Sequence, residues 1–237
     1  MPQNHHHSRR TLEHEEIDDP NLATDLLHGA LRGLATINFV SASAQALWPS
    51  LARLAKRLKT DRLRVLDVAT GAGDIPLALW RKGQRANLRL EIQGVDLSER
   101  SLEFARRRAE ASDAKIEFRR LDAVVEEFPT DYDVVVSSLF LHHLEDETAR
   151  RLLTKMAAAA NHLVLVNDLR RHPLGLALAQ IAGRVLTRSP VVRVDAVRSV
   201  RAAFTMAEAR RLAVLAGLEG AVVTRQWPCR YLLCWQR

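Results

Sequence analysis

A chain of 237 residues has room for one large α/β domain, or for a domain with an added cap, and 47% apolar residues can fill its core. No apolar run approaches the roughly 20 residues of a bilayer-spanning helix, and the opening MPQNHHHSRRTLEHEEIDDP has no signal-peptide stretch, so a cytoplasmic protein without a transmembrane segment is expected. The net charge of +7 admits an anionic partner, but the arginines are dispersed and no tract interleaves bases with aromatics, which argues against a nucleic-acid groove.

Residues 1–18 read as a flexible, solvated tail in which His5, His6 and His7 are tag-like. Residues 19–60 read as a helical arm or lid. Leu22, Leu26, Leu27, Leu31 and Leu34 recur at the spacing of one helical face, and Ser41 or Ser43 is placed to cap a second helix running to Leu58. Strands and helices then alternate. Strands are expected at 64–69, 90–95, 115–121, 132–138 and 162–168; helices are expected at 75–82, from the Ser98 cap to about Ser112, and at 147–159. Pro76 falls in the first turn of its helix, where a missing N–H costs nothing. This alternation predicts βαβ units and a parallel sheet covered on both faces, in keeping with the apolar runs Val134–Val136 and Leu163–Val166.

The alternation breaks after Arg170. Residues 170–203 read as two or three helices without a strand, a cap inserted into the domain that spans 61–237. Leu174, Leu176, Leu178, Ile181 and Val185, with Gly175 and Gly183, make its first helix apolar and loosely packed. Thr205 and Glu208 have capping-box spacing and open a helix ending near Gly217. Two strand-like runs, 220–226 and 230–235, close the chain as a hairpin-like pair at the sheet edge. Cys229 and Cys234 form neither a CxxC pair nor a zinc spacing, and no metal is expected.

The stretch VLDVATGAGDIP, from Val65 to Pro76, carries the functional signal. Glycines after a first strand let a ligand approach the backbone at a helix opening. The dinucleotide pattern G-x-G-x-x-G/A fails, because Pro76 stands at its third small position, and no Walker-type Gly-Lys-Ser/Thr is present. Asp67 at the strand end disfavours a pyrophosphate and suits a ligand bearing an ammonium. Asp96 ends the second strand, where a carboxylate can accept from both ribose hydroxyls, and Asp122 follows the third, where it can accept from an adenine amino group.

With these motifs the sequence resembles the class I S-adenosylmethionine-dependent methyltransferases over roughly 47–237. VLDVATGAGD, GVDLSERSLEFARRRA, RLDAVVEEFP and YDVVVSSLFLHHL are similar to that family's first four motifs. The resemblance implies a Rossmann-like, seven-stranded, mostly parallel sheet with an antiparallel last strand and helices on both faces. It implies S-adenosyl-L-methionine as cofactor. Carried over by position, Asp67, Thr70, Gly71 and Gly73 hold the methionine end, Asp96 and Leu97 the ribose and adenine, and Asp122 and Ala123 the adenine edge. Ser138, or its neighbour Ser137, lies where carbonyls take the amino group. Ala69, Gly71, Gly73 and Asp74 bring the chain nearest the ubiquinone/menaquinone branch. That branch has Gly-Leu-Arg-Asn after its fourth strand, whereas this chain has Leu139-Phe140-Leu141-His142-His143, which leaves the acceptor open.

A neutral phenol or enol must lose its proton to accept a methyl group, and His142 and His143, at the carboxyl edge of the sheet, are the candidate bases. Arg32 or Asn38 is placed to reach the methionine carboxylate or the acceptor. The expected reaction is O- or C-methylation of a small hydroxylated aromatic, quinone-like or polyketide-like acceptor. Two alternatives stand beside it: an RNA or protein methyltransferase, and a non-catalytic cofactor-binding paralogue. The composition is compatible with a monomer or a homodimer and with peripheral membrane contact.

Overall fold

Successive residues of a strand point to opposite faces, and the first strand shows how this chain uses that rule. Leu63 and Val65 join Leu47, Leu51, Leu54 and Leu79 on one side of the sheet, while Leu66 and Val68 join Leu152, Leu153, Met156 and Leu212 on the other. Both faces are therefore apolar, and helices cover each. The structure is a computed structural model that describes residues 10–19, 21–40 and 42–237.

In chain order the elements are α1 (Thr24–Val40), α2 (Ser43–Leu58), β1 (Arg62–Val68), α3 (Asp74–Arg85), β2 (Arg89–Asp96), α4 (Glu99–Glu110), β3 (Ile116–Arg120) and β4 (Tyr132–Ser138). A short 3-10 turn, Leu141–His143, leads to α5 (Asp146–Ala159) and β5 (Ala160–Leu169). Then come α6 (Pro173–Val185), α7 (Pro190–Ala202), α8 (Met206–Leu215), β6 (Val222–Gln226) and β7 (Arg230–Gln236). The seven strands are ordered β3-β2-β1-β4-β5-β7-β6. β1 to β5 pair in parallel, and β7 runs antiparallel to both β5 and β6. This is the Rossmann-like sheet with a reversed last strand that the sequence leads one to expect. The strand order turns back on itself between β1 and β4, and such a switch point opens a crevice at the carboxyl ends of the strands.

Local signals hold at several helix ends. The Ser98 hydroxyl accepts from the Ser101 N–H, and Thr205 and Glu208 form the reciprocal capping box. Other local expectations fail. Ser43 does not cap α2: the cap position is Ala42, in a left-handed conformation, and the Ser43 hydroxyl instead accepts from Arg230. Ser41 lies outside the described residues, as do His5, His6 and His7. Leu27 and Leu31 are buried, but Leu26 is 42% exposed, because on a helix it points about 100° away from its neighbour Leu27. The apolar residues of α6 also divide. Gly175 and Gly183 pack tightly against neighbouring backbone, whereas Leu174, Ile181 and Val185 face outward.

The expectation of a solvated tail fails over residues 10–19. The Arg10 guanidinium lies 3.8 Å from the centre of the Phe204 ring and donates to the carbonyls of His142, Leu144 and Ala202 and to the Asp146 carboxylate. The backbone N–H groups of Glu16 and Ile17 donate to the Asp195 carboxylate of α7 at 2.9 and 3.0 Å. Carbonyls at the ends of the 3-10 turn and of α7 thus find their donor in this strap, which crosses the mouth of the crevice. No helix among the described residues is long and apolar enough to cross a membrane.

Candidate active site

The chain leaves β1 through a turn that few side chains tolerate. Ala69, Gly71 and Gly73 all have positive φ, at 58°, 52° and 67°. Glycine suits such a backbone, and Ala69 adopts it at a steric cost of order 1 kcal/mol. Leu139, just past β4, is held the same way at 57°. Ala69 and Leu139 both line the crevice. The turn is pinned across to β2, since the Thr70 N–H donates to the Val95 carbonyl at 3.0 Å and the Gly71 N–H to Asp96 at 2.8 Å.

Three carboxylates gather around this turn. Asp67 is only 2% exposed and accepts from the Thr70 hydroxyl at 2.5 Å. Burial is the main cause of its pKa rising to about 7; the Thr70 hydrogen bond opposes the rise and the nearby charges of Asp74 and Asp96 add to it. Burial also raises Asp74, which accepts from the Asn38 amide at 3.0 Å. Asp96 is raised by burial too, although its two oxygens accept from Gly71 and Ser98 N–H groups. A carboxylate offers about four lone-pair sites, so Asp96 retains acceptor capacity toward the crevice it lines.

Beyond the turn the crevice is lined by Leu97, Asp122, Ala123 and Ser138, with Thr70, Gly71 and Asp67. Asp122 Oδ1 accepts from the Val124 N–H at 2.8 Å, which shapes the loop after β3. Ser138 accepts from the Asn167 amide at 3.1 Å. Gly73 does not line the crevice: a Cβ there would come within 2.9 Å of Ala105 and 3.0 Å of Phe118, so it serves the packing of α3 against α4 and β3. Ser137 is buried away from the crevice and ties β4 to the Val68 carbonyl. Arg32 is exposed and does not line the crevice, whereas Asn38 does.

Arg230, at the start of β7, escaped the sequence reading. Its guanidinium is buried, donates to Ser43 and to the Asn38 amide oxygen, and lines the crevice. Among the described residues no carboxylate lies within ion-pair distance of it. Burial lowers it to about 10, so it is still cationic at neutral pH. A buried cation with neutral partners is a receptor for an anion. Nothing in the local run PCRYLL distinguishes it, because β7 must be threaded between β5 and β6 before Arg230 faces α1.

The other half of the crevice surrounds the two histidines. His142 is buried; its Nδ1 donates to Asp168 at 2.6 Å and its Nε2 lies 3.6 Å from Glu15. Burial lowers the imidazole pKa, but Asp168 and Glu15 outweigh it and lift the ring to about 10. Glu15 shows the counterpart: burial raises its carboxyl, yet the two histidines and the Ser199 hydroxyl bring it down to about 2. A ring that keeps its proton has no lone pair to offer, so His142 does not fit the expected role of base in this arrangement. His143 is less buried and lies 3.7 Å from Glu15 and 3.3 Å from Asp18. Glu15 and Asp18 belong to the strap, and the polar composition of LEHEEIDDP gave no sign of their placement.

Leu27, Leu31, Leu34 and Ile37 of α1 and Leu178, Ala179 and Ala182 of α6 roof the crevice. Its volume is about 1330 Å³. A site for one drug-sized ligand is about 300–1,000 Å³, so this one has room for a nucleoside and a second small molecule.

Residues 65–162 match the family described as "Methyltransferase domain". The chain is similar to the ubiquinone biosynthesis O-methyltransferase of Leptothrix cholodnii, with 28% identity over 133 residues covering 55% of this chain and 54% of that protein. It is also similar to the demethylmenaquinone methyltransferase of Thermus thermophilus, with 33% identity over 105 residues covering 44% and 46%. The matches span about half the length of these relatives. Among solved structures, the plantazolicin methyltransferase BpumL in complex with SAH superposes with a TM-score of 0.64 at 17% identity, covering 92% of this chain and 90% of that one. Magnesium protoporphyrin IX methyltransferase from Synechocystis with bound SAM gives 0.56 at 16% identity, covering 94% and 88%. The β1 turn, the acidic strand ends and the seven-stranded topology agree with these matches, and residues 65–162 are similar to a methyltransferase domain.

Proposed function

We propose that the chain is an S-adenosylmethionine-dependent methyltransferase acting on a small hydroxylated aromatic, quinone-like or polyketide-like acceptor. The observation that carries this reading is the crevice itself: acidic strand ends and a buried arginine line one side, and an apolar roof covers a volume too large for the cofactor alone. The charges fit the cofactor group by group. Asp67 would take the ammonium, Arg230 and Asn38 the carboxylate, Asp96 the ribose hydroxyls, and Leu97, Asp122 and Ala123 the adenine. Thr70 and Gly71 keep the backbone low enough to admit the ligand, and Ser138 would border the methionine end.

When bound, the cofactor supplies an electrophilic methyl group on a sulfonium. The protein's own contribution is to align an acceptor with that carbon and to keep water out. Leu27, Leu31 and Leu34 of α1 and Leu178 of α6 supply the apolar cover, and residues 10–19 close the remaining edge. In this reading residues 19–60 act as the lid and residues 170–203 as the acceptor cap. The names of the relatives, a ubiquinone-pathway O-methyltransferase and a demethylmenaquinone methyltransferase, favour an acceptor of the quinone or phenol type.

The test is transfer of radiolabelled methyl from S-adenosylmethionine to panels of phenols, hydroquinones and polyketide-like enols, with RNA and protein as further arms. Label in a phenolic or enolic product is expected. Label in RNA or protein alone would replace the small acceptor with a macromolecule.

A further inference from the structure

The strap places Glu15 against two consecutive histidines that β4 delivers to the crevice. Glu15 Oε1 lies 3.6 Å from His142 Nε2, and Glu15 Oε2 lies 3.7 Å from His143 Nε2. These separations exceed a hydrogen bond. Two ligand atoms each about 2.1 Å from one ion in tetrahedral geometry stand about 3.4 Å apart, close to both distances. One donor atom from each of the three residues falls within 4.8 Å of the other two.

The surroundings match a metal centre as well. His142 donates through its other nitrogen to Asp168 at 2.6 Å, and the His142 backbone N–H is held by the same carboxylate at 3.1 Å. A carboxylate behind a ligating histidine fixes its ring and tautomer. Glu15 is fixed in turn by the Ser199 hydroxyl at 2.5 Å, and Asp18 stands 3.3 Å behind His143 Nδ1. The cluster borders the crevice, and the rings of His142 and His143 lie 4.4 Å apart between centres.

We infer that Glu15, His142 and His143 form a binding site for one divalent transition-metal ion, of the zinc class, on the acceptor side of the crevice. Two imidazoles and one carboxylate are a donor set that leaves a coordination position open. Taken with the proposed methyltransferase reading, on which this role rests, the open position would receive a hydroxyl oxygen of the acceptor. A divalent charge there makes that hydroxyl easier to ionise, its proton passing to solvent. A ligating imidazole nitrogen carries no proton, so binding releases any proton held there and needs no further reactant. This gives the two histidines a task other than that of a general base. It also explains why Glu15, an extended residue of the strap, is buried beside them.

Cobalt(II) is the probe, because its visible absorption reports coordination number and zinc displaces it. The full chain is used with His5, His6 and His7 replaced by alanine, which removes adventitious sites. One cobalt per chain with four-coordinate bands is expected, displaced by one equivalent of zinc. Glu15→Gln and His143→Ala should each weaken binding at least about tenfold, and Asp168→Asn by about 10- to 100-fold. Thermal melting shows that each variant is folded, and Glu15→Gln, nearly isosteric, guards against a result from misfolding. No stoichiometric cobalt after the histidine-tail replacement, or equal affinity in folded Glu15→Gln and His143→Ala, would overturn the site. Failure of the methyltransferase reading is separate, because S-adenosylhomocysteine binding is read by calorimetry in metal-free buffer.

Discussion

On one side of the crevice, Asp67, Asp96 and Asp122 lie at or just past the carboxyl ends of three successive strands, and each is placed by its own strand end and the turn after it. On the other side, Glu15 meets Ser199 across 184 residues of sequence, and His142 meets Asp168 across a strand pairing. The first side is specified locally, by glycines, strand ends and helix caps. The second exists only once the strap, the 3-10 turn, β5 and α7 have been packed together. The two sides should therefore fail in different ways when altered.

The largest effect is expected on the local side. Asp96→Ala removes the proposed ribose acceptor and the anchor for the Gly71 and Ser98 N–H groups. Hydrogen bonds to a charged group contribute about 1.5–3 kcal/mol each, so S-adenosylhomocysteine affinity should fall about a hundredfold or more by calorimetry. Arg230→Met should cost about 2 kcal/mol, or about thirtyfold, if the buried guanidinium takes the ligand carboxylate. The same substitution should matter far less for adenosine, which has no carboxylate. Equal losses for the two ligands would place Arg230 in the scaffold instead.

Asp67 gives a smaller, pH-dependent effect. Its carboxyl titrates near 7, and an ammonium favours the ionised form, so cofactor affinity should rise about tenfold from pH 6 to pH 8. Asp67→Asn should flatten that rise. The ligand-free protein should show the opposite trend. A raised carboxyl stabilises the fold below about pH 4, and this contribution is lost as pH rises through 7. The smallest effect on binding is expected from Gly73→Ala. Its positive φ and the Ala105 and Phe118 contacts should cost about 2 kcal/mol of stability in denaturant unfolding, with affinity changed less than about threefold. A loss of affinity without a loss of stability would return Gly73 to the ligand.

The difference also explains what could be read before the structure. Strand ends and glycine spacing reflect local geometry, so Asp67, Gly71, Asp96 and Asp122 were legible from the residues themselves, while the family resemblance pointed to Thr70, Leu97 and Ala123; all seven line the crevice. Gly73 has the same spacing signature as Gly71, and only the proximity of Phe118 separates packing from ligand approach. The strap was illegible for the reverse reason. Its sequence is polar because its groups are satisfied by distant partners such as Asp195, Phe204 and Ser199, and polarity without a visible partner reads as solvation. The two histidines were legible at the carboxyl edge of the sheet, but their carboxylate partners Asp168 and Glu15 were not.

The division of the crevice is tested most directly by titrating S-adenosylhomocysteine into the native chain, Asp96→Ala and Glu15→Gln side by side. The predicted result is an affinity lost about a hundredfold in Asp96→Ala and held within about threefold in Glu15→Gln. Parallel loss in both variants, or undiminished binding in Asp96→Ala, would contradict it.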